Sequence, residues 1–356
     1  MAKKILVINP GSTSTKVAVY EDENVLFEKT LRHQTEEIQQ FDSIPAQRDW
    51  RKDIINEFLA ENNFDVTELA AVVGRGGLVK PIEGGTYNVN EALEKDLTDG
   101  YAGQHASNLG GLIAKEIATP LGIPAFIVDP TTVDELEPLA RYTGNAEFKK
   151  TVIWHSLNQK AVGRRYAAEI GKKYEDLTLI ICHLGGGLSI GCHKNGKCIE
   201  VNNSLDGNGA FSPERSGDLP SGALVKMCFS GKYTEKEVYS KICGKGGFNS
   251  YYGTNDARKI EDAAIAGDEK AKELYDAYSY CIAKEVGALS TVVKGKVDAI
   301  ILTGGIAYSK MVVNEVASRV DWIAPVKAYG GEDEMLALTQ GVLRVLNGEE
   351  EAKVYV

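Results

Sequence analysis

Three short glycine-rich runs in the 356-residue chain could serve anion chemistry. The first is Asn9-Pro10-Gly11-Ser12-Thr13-Ser14-Thr15-Lys16, with four consecutive hydroxyl residues and a lysine. A turn of this kind leaves backbone N–H groups and hydroxyls pointing outward, which suits a phosphate. The same residues also suit an ordinary hairpin whose Ser and Thr satisfy turn backbone. The second run is Gly185-Gly186-Gly187-Leu188-Ser189 and the third is Thr303-Gly304-Gly305-Ile306. One such turn is commonplace. Three offer a phosphate chain and an adenosine the close backbone approach they need, although GxxxxGK[ST] and a GxGxxG opening a helix are both missing. Two charged residues end apolar runs: Arg75 follows Ala70–Gly74, and Asp129 follows Pro124–Val128. Strand ends are where α/β sites gather, while a solvated arginine or a capping aspartate looks the same in sequence.

These groups need buried strands to hold them. Ile5–Ile8, Val17–Tyr20 and Val25–Lys29 read as three strands around the first turn. The pattern returns at Leu179–Leu184, Ile190–His193 and Cys198–Val201, with Asn195-Gly196 as a hairpin turn. This is an internal repeat at domain scale. Helical spacing appears over 47–63, 108–120 and 270–293, Val297–Leu302 reads as a buried strand, and a last helix is expected to start around Glu332. The expected architecture is α/β: two similar halves, with a cleft between them as the natural place for a ligand. The division is placed at residues 1–165, joined by the C-terminal helix 340–356, and 166–339.

Composition narrows the function. The chain is 43% hydrophobic and 25% charged, a globular profile large enough for two cores. A net charge of −10 gives no basic field for nucleic acid or an anionic membrane, and no apolar run approaches a membrane span. An anionic substrate must therefore be held by local Arg, Lys and backbone N–H groups. No secretion signal is recognisable at the N-terminus, and the 6 Cys form no CxxC pair, so a cytoplasmic protein with free thiols is expected. Cys182-His183 and Cys192-His193 suggest zinc, but adjacent strand residues face opposite sides, so only a fragment of a site would converge.

Together the repeat, the turns and the strand-end charges resemble the acetokinase family of actin-like phosphotransferases, over essentially the whole chain. Ile8–Lys16 resembles the family's N-terminal signature, and Cys182–Ile190 its second, where acetate kinases usually have Asn-Gly-Ala in place of Gly186-Gly187-Leu188. Pro213–Asp218 resembles the segment holding one catalytic arginine, Arg215. The other arginine falls on Arg75, the aspartate on Asp129, the transition-state histidine on His155 and a second histidine on His105. Pro130-Thr131-Thr132 and Ile153-Trp154-His155-Ser156 depart from the acetate kinase pattern, and the chain is shorter. These departures favour the butyrate kinase branch.

The resemblance implies two duplicated actin-like (ribonuclease H-like) domains. It implies reversible phosphoryl transfer between ATP and a short-chain carboxylate, giving ADP and an acyl phosphate, in a homo-oligomer whose partners are small molecules. Arg75 and Arg215 would clamp carboxylate and phosphoryl oxygens, since a guanidinium is always charged and grips two oxygens. His155 would donate to the phosphoryl group, and Asp129 would orient Arg215 or reach Mg²⁺ through water. Ser12, Ser14, His105 and His183 would line the phosphoryl path. Lys16, Gly185, Gly186, Gly187, Gly304 and Gly305 would hold the nucleotide. Asn9 and Glu332 are the expected Mg²⁺ residues, with Glu334 nearly equivalent. His33 and His193 are read as surface or structural. Acetate or propionate as the acid, a sugar or polyol kinase, and a non-enzymatic actin-like ATPase are the alternatives.

Overall fold

In the computed structural model, which describes residues 2–356, the repeat is visible as two sheets of matching order. Strands β1 (Lys4–Pro10), β2 (Ser14–Glu21) and β3 (Asn24–Arg32) form an antiparallel meander. Helix α1 (Arg48–Glu61) leads to β4 (Leu69–Arg75), which pairs parallel with β1. After β5 (Thr86–Asn88), α2 (Glu91–Asp99) and α3 (Asn108–Leu121) comes β6 (Ala125–Val128), parallel to β4. The sheet order is β3-β2-β1-β4-β6-β5.

Helix α4 (Ser156–Glu169) precedes the second meander, β7 (Thr178–Leu184), β8 (Leu188–Lys194) and β9 (Lys197–Val201). Short helices between residues 221 and 265 lead to the long α5 (Glu269–Val292). Strand β10 (Ala299–Gly304) then pairs parallel with β7, and after α6 (Lys310–Val320) β11 (Val326–Gly330) pairs parallel with β10. The order β11-β10-β7-β8-β9 repeats that of the first sheet without its edge strand β5. The last helix, α7 (Glu334–Leu346), begins two residues later than expected, because Asp333 keeps a non-helical ψ of 53°.

Two compact units result: Met1–Val133 with Asp333–Val356, and Asp134–Glu332. The division expected at 165/166 falls inside α4, within the second unit. Each unit has its own core. Leu6, Ile8, Val17 and Val19 pack with Ile55 and Leu59 of α1 and with Leu109, Leu112 and Ile113 of α3. In the other unit Ile180, Cys182 and Ile190 pack with Tyr275, Tyr278, Ile282 and Val286 of α5. The central strands are buried on both faces, as a sheet with covered faces requires, so they read as continuous apolar runs. Close approach sets the geometry behind Arg75: a Cβ on Gly74 would lie 2.0 Å from the carbonyl oxygen of Gly110. Only glycine lets α3 come so near β4.

Candidate active-site residues in the two units

In the first unit the hydroxyl-rich turn is built from beneath by an arginine. Gly11 donates its N–H to Ser14 O at 2.7 Å, closing the turn between β1 and β2. Arg51, on the buried face of α1 and 1% exposed, donates to the carbonyls of Gly11 (2.8 Å), Ser12 (3.2 Å) and Ser14 (3.2 Å) and to Thr15 Oγ1 (3.1 Å). Its remaining donors meet Gln47 Oε1. Burial pulls the guanidinium down to about 10, well within its charged range at neutral pH. With three carbonyls turned toward Arg51, Ser12 and Ser14 stay at the outer side of the turn, exposed and half-buried. Thr15 Oγ1 also bonds His33 Nε2 at 2.8 Å, and His33 is buried, not a surface residue. Burial first, then the Arg51 charge, lowers His33 to about 4. Sequence reasoning missed Arg51. Its signal was a charge on the stripe shared with Ile55, Phe58 and Leu59.

Arg75, at the end of β4, meets the start of α7. Arg75 Nη1 and Asn9 Nδ2 (2.8 Å) both donate to Glu334 Oε2. The acid brought to Asn9 is thus Glu334; Glu332 lies in the other unit. Asp129, 2% exposed, holds a positive φ of 39° and accepts the Gly85 N–H at 2.7 Å. A non-glycine residue in this region carries strain, of the kind that collects at functional sites. His105 is solvent-exposed, and its Nδ1 accepts the Ser107 N–H at 3.2 Å, so a neutral ring carries its proton on Nε2. Desolvation, followed by the charge of Arg75, holds His105 below its usual pKa. Lys16 sits opposite Asn9 in the β1–β2 ladder and pairs with Glu28 at 2.9 Å.

In the second unit the Gly185–Gly187 turn is tied to the segment carrying Arg215. Ser212 Oγ donates to Gly186 O at 2.6 Å, and the Glu214 N–H donates to the same oxygen at 3.3 Å. The Arg215 N–H donates to Ser212 Oγ at 3.1 Å. Arg215 Nη1 reaches Glu214 Oε2 at 3.3 Å, while its buried Nε has no partner among the described residues. A buried donor left unpaired costs about 1–3 kcal/mol. A cavity of about 720 Å³ lies beside these residues, lined among others by Gly185, Gly186, Arg258, Gly305, Tyr308 and Glu332. Gly304, at φ +89°, turns the chain out of β10 toward it; a Cβ there would lie 2.4 Å from Leu184 O.

His155 and His183 form a stacked pair, ring centres 3.7 Å apart and planes within 6°. His183 is buried, with Nδ1 2.8 Å from Asn158 Oδ1 and Nε2 3.0 Å from Glu332 Oε1. His155 precedes α4 and places Nδ1 2.8 Å from Ser189 Oγ. Gln159, one turn into the helix, donates to Ser189 O (3.0 Å) and Oγ (2.8 Å). Its other end meets His193 Nε2 at 2.8 Å, and His193 Nδ1 meets Tyr174 OH at 2.6 Å. His193 is fully buried, a structural residue of the core.

Magnesium takes oxygen donors, keeps several waters and is usually held by one or two carboxylates together with phosphates. Among the described residues no group of three or more His, Cys, Asp or Glu is poised to hold a metal. The half-exposed carboxylate of Glu332, and the Glu334 carboxylate beside the Asn9 amide, fit the sparser mode. Among the described residues no helix is long and apolar enough to cross a membrane.

The model of the acetokinase family matches residues 150–336. The chain is 57% identical over 355 residues to Butyrate kinase 2 of Clostridium acetobutylicum, covering 100% of both chains. It is 58% identical over 352 residues to Butyrate kinase 1 of the same organism, covering 99% of both. Among solved structures it resembles Porphyromonas gingivalis acetate kinase, with a TM-score of 0.80 at 21% identity, covering 97% of this chain and 100% of that one. A propionate kinase from Francisella tularensis superposes with a TM-score of 0.74 at 20% identity, covering 95% and 98%. The two mixed α/β sheets thus have the acetate kinase fold, and the chain belongs to the acetokinase family.

Proposed function

We propose that the protein transfers the γ-phosphoryl group of ATP reversibly to butyrate, giving ADP and butyryl phosphate. The observation that carries this reading is the 57–58% identity, over essentially full length, to two butyrate kinases. A carboxylate is already ionised at pH 7, so the nucleophile needs no general base. Its oxygen attacks the γ-phosphorus in line, the bond from that phosphorus to the β,γ-bridging oxygen breaks, and ADP leaves with the electron pair. The difficulty is charge: two anions approach, and negative charge must be held on the moving group.

Arg75 and Arg215 supply fixed positive charge, each able to grip two oxygens. The orphaned Nε of Arg215 supports its role, since a bound phosphoryl or carboxylate oxygen would satisfy it. His155 donates to a phosphoryl oxygen, with His183 stacked behind it. Asp129 holds the loop at Gly85 and so supports the strand end it shares with Arg75. Ser12 and Ser14 line the phosphoryl path with His105. Gly185, Gly186 and Gly187 admit the nucleotide phosphates, and Gly304 and Gly305 flank the adenosine in the 720 Å³ cavity, a volume usual for such ligands. Lys16 releases Glu28 to steady a phosphate. Asn9 with Glu334 in the first unit, or Glu332 in the second, would hold Mg²⁺, which neutralises phosphate charge when bound. We further propose a homo-oligomer in the cytoplasm.

The reverse reaction tests the assignment. ADP, Mg²⁺ and butyryl phosphate are expected to yield ATP, read by luciferase; no ATP from butyryl phosphate or from any short-chain acyl phosphate would overturn it. One methylene in an apolar pocket is worth only about 1–3 kcal/mol. Propionyl, isobutyryl and valeryl phosphates are therefore expected to work at reduced rates.

A further inference from the structure

The buried hydrogen bonds running from Tyr174 to His155 have a single consistent direction. It starts from Gln159, whose nitrogen end is fixed because Ser189 O can only accept and Gln159 Nε2 lies 3.0 Å from it. The same Nε2 donates to Ser189 Oγ, and the His155 backbone N–H donates to that oxygen at 3.3 Å. A hydroxyl has two acceptor positions and one proton. Both acceptor positions of Ser189 are taken, so its proton goes to the remaining neighbour, His155 Nδ1, at 2.8 Å.

The other end of the amide obeys the same logic. Gln159 Oε1 can only accept, so the proton between it and His193 belongs to His193 Nε2. Burial, then the charges of Lys160 and Arg164, hold the His193 pKa well below its ordinary value, so the ring is neutral. Its Nδ1 is then an acceptor and takes the Tyr174 hydroxyl proton. Gln159, Ser189 and His193 are all 0% exposed, so water does not compete for these bonds. The backbone makes room for them: a Cβ on Gly191 would lie 2.7 Å from Gln159 Oε1 and 3.1 Å from His193 Nε2.

We infer that Tyr174, His193, Gln159 and Ser189 are positioning residues that fix His155 in the neutral tautomer with its proton on Nε2, so that this atom is the donor to the transferring phosphoryl group. The role of Nε2 rests on the reading of His155 given above; the tautomer rests on the hydrogen bonds alone. The Ser189 proton is what holds Nδ1 as an acceptor; without it the ring can carry its proton there. A chain of oriented bonds in a dry interior holds that choice firmly, because reversing one link leaves a buried donor or acceptor unpaired.

Nitrogen-15 NMR of histidine-labelled protein reads the tautomer directly, and only 5 histidines have to be assigned. In the unsubstituted protein His155 is expected to show an unprotonated Nδ1 and a protonated Nε2. Ser189→Ala is expected to give tautomer-averaged His155 shifts and to lower kcat about tenfold, with ADP affinity unchanged; Ser189→Thr, which restores the hydroxyl, is expected to recover both. A protonated Nδ1 in the unsubstituted protein overturns the inference whether or not the variants fold. So does a Ser189→Ala protein that keeps both tautomer and kcat. Failure of the kinase reading would appear separately, as an unsubstituted enzyme with the expected tautomer and no acyl phosphate formed.

Discussion

Arg215 has a buried Nε without a partner among the described residues, in a segment hydrogen-bonded to the glycine turn. An interaction made most strongly as charge moves affects turnover more than ground-state binding. Arg215→Ala and Arg75→Ala are therefore each expected to lower kcat about 10²–10³-fold, the usual loss for an oxyanion-stabilising donor, with ADP affinity by calorimetry little altered. Near-normal kcat in either variant would remove that residue from the reaction. His33 gives a pH prediction of definite sign. In the fold it stays neutral down to about 4, whereas in the unfolded chain it protonates near 6.5. Between these values the unfolded chain binds more protons, so stability falls as pH falls through the window and levels off near 4. Urea unfolding at pH 7 and pH 5 should show a smaller loss for His33→Gln than for the unsubstituted protein. At this scale residue type was legible where it ended an apolar strand, as with Arg75 and Asp129. It was not legible for Gln159, whose place on its helix looks like an ordinary polar position, and for Arg51 the one signal was its place on the apolar stripe of α1, which does not say that its partners are the β1–β2 turn.

The elements explain why the turn has its shape. Helix α1 lays Arg51 under the β1–β2 turn, and the guanidinium fork fixes three successive parts of it at once. Lysine keeps the charge but loses the fork. Arg51→Lys is expected to lower kcat about tenfold, equivalent to ~1.4 kcal/mol, with exposure of the turn to proteolysis increased. Unchanged kcat and proteolysis would separate Arg51 from the site. Close packing gives a second pair of outcomes. Gly74→Ala forces a Cβ to 2.0 Å from Gly110 O and is expected to cost more than ~3 kcal/mol or to prevent folding. Gly287, inside α5 with nothing within 4 Å of a new Cβ, is expected to gain about 0.5–1 kcal/mol as Ala. Thermal unfolding compares the two. The meanders were readable because buried strands are continuous apolar runs bounded by turns. Helix α4 was not, because its first turn buries the polar residues Ser156, Asn158, Gln159 and Lys160, of which Asn158 bonds His183 and Gln159 bonds Ser189 beside His155, and only its later turns carry the apolar Val162, Tyr166 and Ala167.

For the whole molecule, the repeated strand order says that each unit was built to the same plan and then given different chemistry. The first carries Arg75, Asp129, His105 and a hydroxyl turn; the second carries the glycine turns, Arg215, the histidine pair and the cavity. The duplication was legible because Gly-rich turns recur at the same place in each meander. Pocket shape was not, since it depends on side chains from many elements. The central claim is that a carboxylate receives the phosphoryl group, and hydroxylamine trapping tests it most directly, because hydroxylamine converts an acyl phosphate to a hydroxamate. With ATP, Mg²⁺ and butyrate the protein is predicted to form butyryl hydroxamate in proportion to ADP. ADP without hydroxamate, from butyrate and from acetate, propionate, isobutyrate and valerate alike, would contradict it.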